Sequence, residues 1–117
     1  LPSAEPVLAK VAKIINDYQD YDVLVEGHTD NESFSGSGVI KDNWDLSAMR
    51  ATSVVRFLQD KLNVAPERMT AGGRSEYNPK VSNESEEGKA ANRRTVIVVM
   101  PKLGQFLDLM NQAPAGN

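Results

Sequence analysis

The sequence predicts a single α/β domain in which helices pack on one face of a small sheet. Segments with a helical spacing of apolar residues alternate with β-branched runs, which is the pattern of an α/β sandwich. The length of 117 residues is enough for one domain and too short for two ordinary ones. Hydrophobic residues make up 40% and charged residues 25%, close to the globular average, so a folded core is expected.

Apolar periodicity predicts the individual elements. In chain order these are a helix at 7–18, a strand at 21–26, a helix at 44–62, a weak strand at 68–71, one or two helical turns at 86–92, a strand at 95–100 and a closing helix at 103–110. Ser3 is the predicted N-cap of the first helix, and Asp42 or Asn43 that of the second. Gly72-Gly73 is predicted to end the weak strand.

The strand at 95–100 is an unbroken Val/Ile run, which predicts a strand covered on both faces or at the centre of the sheet. We expect the domain to span residues 1–111, with a flexible tail at 112–117. Three strands make a thin sheet, and a fourth is expected upstream of Leu1. The amino terminus lacks the features of a signal peptide, and we interpret the chain as part of a longer protein.

Composition excludes several classes of function. The absence of cysteine excludes disulfides, thiol nucleophiles, zinc ribbons and iron–sulfur clusters. A net charge of −3 argues against a nucleic-acid partner, because such proteins normally show a basic excess. No segment approaches the roughly 20 apolar residues that a membrane span requires.

The signals for an enzyme are weak. His28 is the only histidine, no serine lies in a nucleophile elbow, and no phosphate-binding fingerprint is present. Glu26, His28 and Asp30 alternate, so an extended backbone would put them on one face as a metal site of a small hydrolase. The favoured interpretation is a strand end whose His and Asp bond the following loop, because three close neighbours on one strand rarely surround a metal.

Arg50 and Asp30 are the more informative pair. Arg50 lies at the edge of the apolar stripe of the second helix and within its first two turns, where the helix dipole favours anions. It therefore needs a negative partner, either Asp30 or an anion supplied by a ligand, unless its stem packs and its head reaches solvent. Asp30 ends a strand and opens a loop that returns to a helix start, the usual ligand crevice of α/β sheets. An acid and an arginine in such a crevice suit a zwitterion.

Four separated motifs resemble the OmpA-like peptidoglycan-binding domain, a family that includes domains of peptidoglycan-associated lipoproteins and flagellar stator B subunits. The motifs are Val25-Glu26-Gly27-His28-Thr29-Asp30-Asn31, Asn43-x-x-Leu46-Ser47-x-x-Arg50-Ala51-x-x-Val54, Gly72-Gly73-x-Ser75-x-x-x-Pro79 and Asn92-Arg93-Arg94. They cover nearly the whole chain, in the family's order and at family-like spacing.

The resemblance implies a βαβαβ-type sandwich on a small mixed sheet, with the family's first strand upstream of Leu1. It also implies non-covalent, non-enzymatic binding of the diaminopimelate of the peptidoglycan stem peptide, without a cofactor or metal. Asp30 would hold the ammonium of the ligand and Arg50 its carboxylate, while His28 would be a scaffold residue. The other implied site residues are Thr29, Asn31, Asn43, Arg93 and Arg94. The two arginines rank lower, because their motif can be partly structural.

Two departures from the common pattern qualify the resemblance. The loop at 32–42 is longer than usual, and Asn43-Trp44 is closer to the stator-like branch. Trp44 either lines the ligand groove or packs against the helix start. We expect a wall-anchoring domain in the periplasm, attached to the outer or inner membrane through upstream sequence. The alternatives are a motor stator gated by homodimerisation, the metal-dependent hydrolase, and a protein–protein module with a vestigial pocket.

Overall fold

The computed structural model describes residues 3–36, 38–101 and 110–111. Its elements are α1 (Glu5–Asp17), β1 (Tyr21–Gly27), α2 (Asn43–Leu62), a 3₁₀ turn (Pro66–Arg68), β2 (Met69–Gly73), α3 (Glu86–Asn92) and β3 (Thr95–Pro101). Helices alternate with strands as the periodicity predicts. The predicted closing helix, the tail at 112–117 and the strand upstream of Leu1 lie outside the described residues, apart from Met110 and Asn111, which are helical.

The described strands form a mixed sheet in the order β2-β1-β3. β1 runs parallel to β2 and antiparallel to β3. In register, Val23 faces Met69 on one side and Val99 on the other. The α/β sandwich with a small mixed sheet is confirmed.

The core lies between the helices and one face of this sheet. Val23 and Val25 alternate along β1 and are fully buried, so they point to the same side. The core cluster joins them to residues of both long helices, namely Leu8, Ala12, Ile15, Ala51, Val54 and Leu58, and to Val64. Both helices therefore pack on the same face of the sheet.

A pair of neighbouring glycines lets α2 approach the sheet closely. Gly27 and Gly73 are partners in the β1–β2 register. A Cβ on Gly27 would lie 2.0 Å from the backbone oxygen of Ser47, and one on Gly73 would lie 2.6 Å from its Oγ. Only glycine permits this contact, which holds the first turns of α2 over the carboxyl ends of β1 and β2.

Three sequence predictions about these elements are wrong. Ala4, not Ser3, is the N-cap of α1 and makes no side-chain cap bond. Gly72 and Gly73 do not follow β2 but are its last two residues, and the missing side chain of Gly73 makes room for α2. β3 is not the central strand among the described residues, and Val99 is 46% exposed. A Val/Ile run gives strand propensity without fixing the position of the strand in a sheet.

Asp42 is the N-cap of α2, one of the two predicted candidates. Its side chain accepts a hydrogen bond of 2.9 Å from the amide of Asp45. Within the described segments, no helix combines the length and apolarity needed to cross a membrane.

Candidate functional site

The site is built on the segment that leaves β1. His28, Thr29 and Asp30 are all buried. The amide of His28 donates to the carbonyl of Arg94 at 2.8 Å, and the amide of Thr29 donates to that of Ser75 at 2.9 Å. These bonds fix the segment between the chain before β3 and the chain after β2, so Asp30 has a defined position.

Asp30 is a buried carboxylate with two donors. Its Oδ1 accepts from the amide of Glu32 at 3.0 Å, and its Oδ2 pairs with Arg93 Nη1 at 2.5 Å. Burial alone would raise the pKa of Asp30, but the bonds from Arg93 and Glu32, with the charge of nearby Lys89, bring that pKa below its ordinary value. Asp30 is therefore ionised at neutral pH.

Arg50 reaches the same strand end from α2. Its Nη1 donates to the backbone carbonyl of His28 at 3.0 Å. Burial lowers the pKa of Arg50, the charge of Arg93 lowers it further, and the charge of Asp30 raises it. The guanidinium stays protonated, since arginine does so in proteins generally. Asp30, Arg50 and Arg93 thus form a site with one negative and two positive charges.

Of the partners considered for Arg50, Asp30 is not the one that its guanidinium contacts. Asp30 pairs with Arg93 instead, and Arg50 donates to a backbone carbonyl. The carbonyl of His28 can accept this bond because His28 lies one residue beyond Gly27, where β1 and its hydrogen bonds to the neighbouring strands end. Arg93, which the sequence analysis ranks below the other candidate site residues, is the arginine that contacts Asp30.

The other predicted site residues divide into two groups. Thr29 donates its hydroxyl to the Asp30 carbonyl at 2.8 Å, and exposed Asn31 follows directly, so both adjoin the site. Asn43 is buried, and its Nδ2 donates to the Glu32 carbonyl at 2.9 Å, which ties α2 to the loop after Asp30. Arg94 instead donates to the carbonyl of Asn78 at 3.1 Å, so the structure does not bring its head to Asp30.

Comparison with known proteins places this chain in a family. The family model described as OmpA family matches residues 1–93. The chain belongs to the OmpA family. Motility protein B of Bacillus subtilis (strain 168) is 29% identical over 97 residues, 83% of this chain and 37% of that protein. Peptidoglycan-binding protein ArfA of Mycobacterium tuberculosis (strain ATCC 25618 / H37Rv) is 34% identical over 99 residues, 85% of this chain and 28% of ArfA. The chain spans well under half the length of these relatives.

Two solved structures share the fold. A MotB-like protein from Desulfovibrio vulgaris superposes with a TM-score of 0.76 at 32% identity, covering 87% of this chain and 64% of that one. The cell wall anchor of the T6SS from Pseudomonas aeruginosa gives a TM-score of 0.71 at 37% identity, covering 84% and 66%.

The metal site considered for Glu26, His28 and Asp30 does not form in this OmpA-family domain. His28 Nε2 lies 3.5 Å from Glu26 Oε1, whereas Asp30 is held by Arg93. No group of three acidic or histidine side chains suited to a metal occurs within the described ranges. β1 ends at Gly27, so His28 and Asp30 lie beyond the regular strand, and of the three side chains only those of Glu26 and His28 approach each other.

His28 is a buried side chain whose protonation opposes folding. Burial lowers its pKa below the usual 6.5, the charges of Arg94 and Arg74 lower it further, and Glu26 partly offsets them. The unfolded chain therefore binds a proton first as the pH falls. We expect the free energy of unfolding to be constant above pH 6.5 and to decrease as the pH falls from 6.5 towards the lower pKa of the folded state.

Urea unfolding at pH 7.5 and at pH 5.5 tests this expectation, with His28→Gln as the control that cannot titrate. Because His28 is the only histidine, the difference between the two proteins over this interval isolates its contribution. An equal pH dependence in both proteins would contradict it.

Sequence reasoning assigned no role to Ser47 or Ser75, and for Asn92 it indicated only that its motif can be partly structural. Ser47 Oγ accepts from the amide of Ser75 at 3.0 Å, and Ser75 adopts a φ of 53°, rare for a residue with a side chain. Asn92, fully buried, donates to and accepts from the loop at 80–83. All three stand in the quoted motifs, so the motifs were the available signal, although spacing alone does not assign their bonds.

Proposed function

We propose that this OmpA-family chain is a non-catalytic domain that binds cell-wall peptidoglycan in the periplasm and anchors an envelope protein to the wall. The observation that carries the proposal is the buried Asp30 at the end of β1, flanked by Arg93 and Arg50. A relative is named a peptidoglycan-binding protein, and a solved structure of this fold is named a cell wall anchor. Both names agree with a binding role for such a site.

The chemistry of the site favours the distal end of diaminopimelate. This end carries an ammonium and a carboxylate on one carbon, and the site offers one acid beside two arginines. Asp30 would accept from the ammonium, while Arg50, which uses Nη1 on His28 and keeps other N–H donors, would bind the carboxylate. Thr29, Asn31 and Asn43 would border the ligand, with Arg94 further away.

Ligand binding would replace the Asp30–Arg93 ion pair. The side chain of Arg93 is 41% exposed, so solvent weakens this pair and Arg93 can turn towards the incoming carboxylate. Because the Asp30–Arg93 pair is lost when the pairs with the ligand form, the net free energy of binding is small relative to the sum of the new contacts. We therefore expect reversible binding of moderate affinity.

Co-sedimentation with purified peptidoglycan sacculi tests the function. We expect the chain to sediment with diaminopimelate-containing sacculi and to be released by an excess of the soluble stem peptide. A chain that stays in the supernatant at every sacculus concentration would overturn the proposal.

Selectivity for diaminopimelate over lysine is expected to depend on Arg50. Lysine lacks the distal carboxylate, so the lysine-containing peptide should bind more weakly by about 1.5–3 kcal/mol, the range of a charge-assisted hydrogen bond. The substitution Arg50→Met should remove most of this difference in affinity, since it removes the guanidinium that would bind the distal carboxylate. Calorimetry with both peptides measures it, and Arg56→Met, an exposed position on the same helix, is the matched control.

Equal affinities of the unsubstituted protein for the two peptides would contradict this prediction. So would an Arg50→Met variant that keeps the full preference for diaminopimelate, because another residue would then recognise the carboxylate.

A stator-type parent protein is the second candidate setting for the same binding activity. Motility protein B is 29% identical to this chain, and the MotB-like structure is 32% identical. In that setting a membrane-anchored parent would bind the wall as a homodimer. Sequence upstream of the domain with a single membrane span and an acidic residue would favour it.

A further inference from the structure

Ser75 is a buried residue in an unusual backbone conformation. It lies two residues after Gly73, where β2 ends, and is 2% exposed. Its φ of 53° falls in the left-handed region, which residues with a side chain rarely adopt. Such a conformation is costly and persists only where the surrounding contacts impose it. The contacts of Ser75 therefore indicate what the conformation achieves.

Ser75 connects α2 to the segment that leaves β1. Its amide donates to Ser47 Oγ at 3.0 Å, and its carbonyl accepts from the amide of Thr29 at 2.9 Å. The hydroxyl of Ser47 donates to the carbonyl of Trp44 at 3.0 Å, so its proton is already in use and its lone pair serves Ser75. Ser47, Ser75 and Thr29 are all buried, so these two bonds are costly to lose.

The two ends of this chain of hydrogen bonds adjoin the acid and one arginine of the site. Thr29 immediately precedes Asp30. Ser47 lies on α2 three residues before Arg50, which is less than one turn of the helix. The bonds through Ser75 thus join the backbone beside Asp30 to the helical turn that carries Arg50.

We propose that Ser75 is a positioning residue, which sets the spacing between Asp30 and Arg50 and thereby the preference for diaminopimelate over lysine. The proposal rests on the proposed function. The distal ammonium and carboxylate of diaminopimelate lie on one carbon, so their separation is fixed. Such a ligand gains from both partners only if the acid and the arginine are held at a matching distance. Lysine, which presents the ammonium alone, is indifferent to that distance.

Ser75→Val tests the proposal, because a β-branched residue is poorly tolerated in the left-handed region. We expect the affinity for the diaminopimelate-containing stem peptide to fall about tenfold, the value of one charge-assisted hydrogen bond that no longer aligns. The affinity for the lysine-containing peptide should fall about twofold or less. Ser75→Gly should keep both affinities, since glycine adopts the same conformation freely. Calorimetry with both peptides measures these values.

Ser47→Ala gives a second test, which holds even if Ser75→Val does not fold. It removes the acceptor of the Ser75 amide and should reduce the preference for diaminopimelate in the same direction. Because both substitutions act through one bond, the double variant should lose little more than Ser75→Val alone. Thr52→Ala is the matched control, since the Thr52 hydroxyl donates to the carbonyl of Ala48 at 2.8 Å on the same helix.

Asn63→Val is the matched control for backbone strain. Asn63 adopts a φ of 57° at the C-cap of α2, the opposite end of that helix from the site. Valine should therefore meet the same conformational penalty there as at Ser75. We expect a lower free energy of unfolding with both peptide affinities unchanged, which separates positioning from a general loss of stability.

Amide hydrogen exchange gives a readout that needs no ligand. In Ser75→Val and Ser47→Ala, the amide of Thr29 should exchange about tenfold faster or more, since its local opening becomes easier. The amide of His28, which donates to the carbonyl of Arg94, is the internal control and should not change.

Three results would overturn the proposal. They are unchanged exchange at Thr29, an equal loss of affinity for the two peptides in Ser75→Val, and a loss in Ser75→Gly as large as in Ser75→Val. The last result would indicate that the serine hydroxyl itself contacts the ligand. Absence of any preference for diaminopimelate in the unsubstituted protein would instead overturn the proposed recognition of its distal end, and exchange at Thr29 would still decide whether Ser75 holds this segment.

Discussion

Replacing Asp30 by asparagine should weaken the binding of the diaminopimelate peptide by about 30-fold or more, the cost of truncating one partner of a desolvated charge pair. The substitution keeps the shape of the side chain and removes only the charge that would accept the ammonium. Asparagine can still accept from the amide of Glu32, so the loop stays in place. Calorimetry and sacculus co-sedimentation should both report the loss.

The same substitution should change stability little. The pair that it removes involves Arg93, whose side chain is 41% exposed, so the free energy of unfolding should fall by about 1 kcal/mol or less. Had Asp30 paired with Arg50, the substitution would have left a half-buried arginine without its partner, and a second change to Arg50→Met would have restored stability. With Arg50 bonded to the His28 carbonyl, we expect no such restoration.

Asp17→Asn is the matched control, since it removes an exposed carboxylate paired with Lys13 on α1. Binding by Asp30→Asn at the level of this control would contradict the assignment of Asp30 to the ligand ammonium. A stability loss of several kcal/mol would contradict the pairing of Asp30 with the partly exposed Arg93.

The sequence predicts Asp30 and Arg50 because each violates a local expectation. An ionisable residue at a strand end and a cation in the first turns of a helix both require a partner, and the motif spacing brings them near each other. The identity of the partner is a tertiary property. Arg93 is 63 residues away from Asp30 in the chain, so periodicity carries no information about their contact.

The positions of the helices and strands also divide into those that local sequence predicts and those that tertiary contacts decide. Apolar spacing predicts α1, α2 and the strands, since burial of one face dominates their formation. It does not predict that β2 extends through Gly72 and Gly73, nor that α2 approaches Gly73 closely, because the local sequence does not encode that contact. The order of strands in the sheet is likewise decided by packing, and β3 accordingly lies at an edge of the described sheet.

Arg68 shows most clearly what sequence patterns omit. From the sequence it is only the first residue of a weak strand, yet the structure buries it to 5% exposure. Its guanidinium donates to the backbone carbonyls of Ile15 at 2.9 Å, Tyr18 at 2.7 Å and Tyr21 at 3.0 and 2.7 Å. These carbonyls belong to the last turn of α1, the connection after it and the start of β1.

The helix end supplies the electrostatic compensation that such a buried cation requires. The final carbonyls of a helix have no intrahelical partner and carry the negative end of its dipole. Arg68 donates to the carbonyl of Ile15 in the last turn of α1, which has no basic residue of its own, and to that of the C-cap Tyr18. One side chain thus connects the end of the first helix to the start of β1.

We expect Arg68→Met to lower the free energy of unfolding by about 3–5 kcal/mol, because it removes the donor to one buried and two partly buried carbonyls. Methionine retains much of the apolar stem, so the loss reports the hydrogen bonds rather than a cavity. Arg68→Lys should lose about half as much, since a point-like ammonium cannot reach three carbonyls at once. Urea unfolding measures both values.

Arg56→Met is the control for loss of an arginine, and as an exposed substitution on α2 it should change stability by about 0.5 kcal/mol or less. Affinity for the stem peptide should be unchanged in folded Arg68→Met, because Arg68 contacts the Tyr21 end of β1 and Asp30 follows its Gly27 end. A variant within about 1 kcal/mol of the unsubstituted protein would show that water replaces the lost donors. The large loss that we expect would instead show that the hydrogen bonds of this one guanidinium stabilise the connection between the end of α1 and the start of β1.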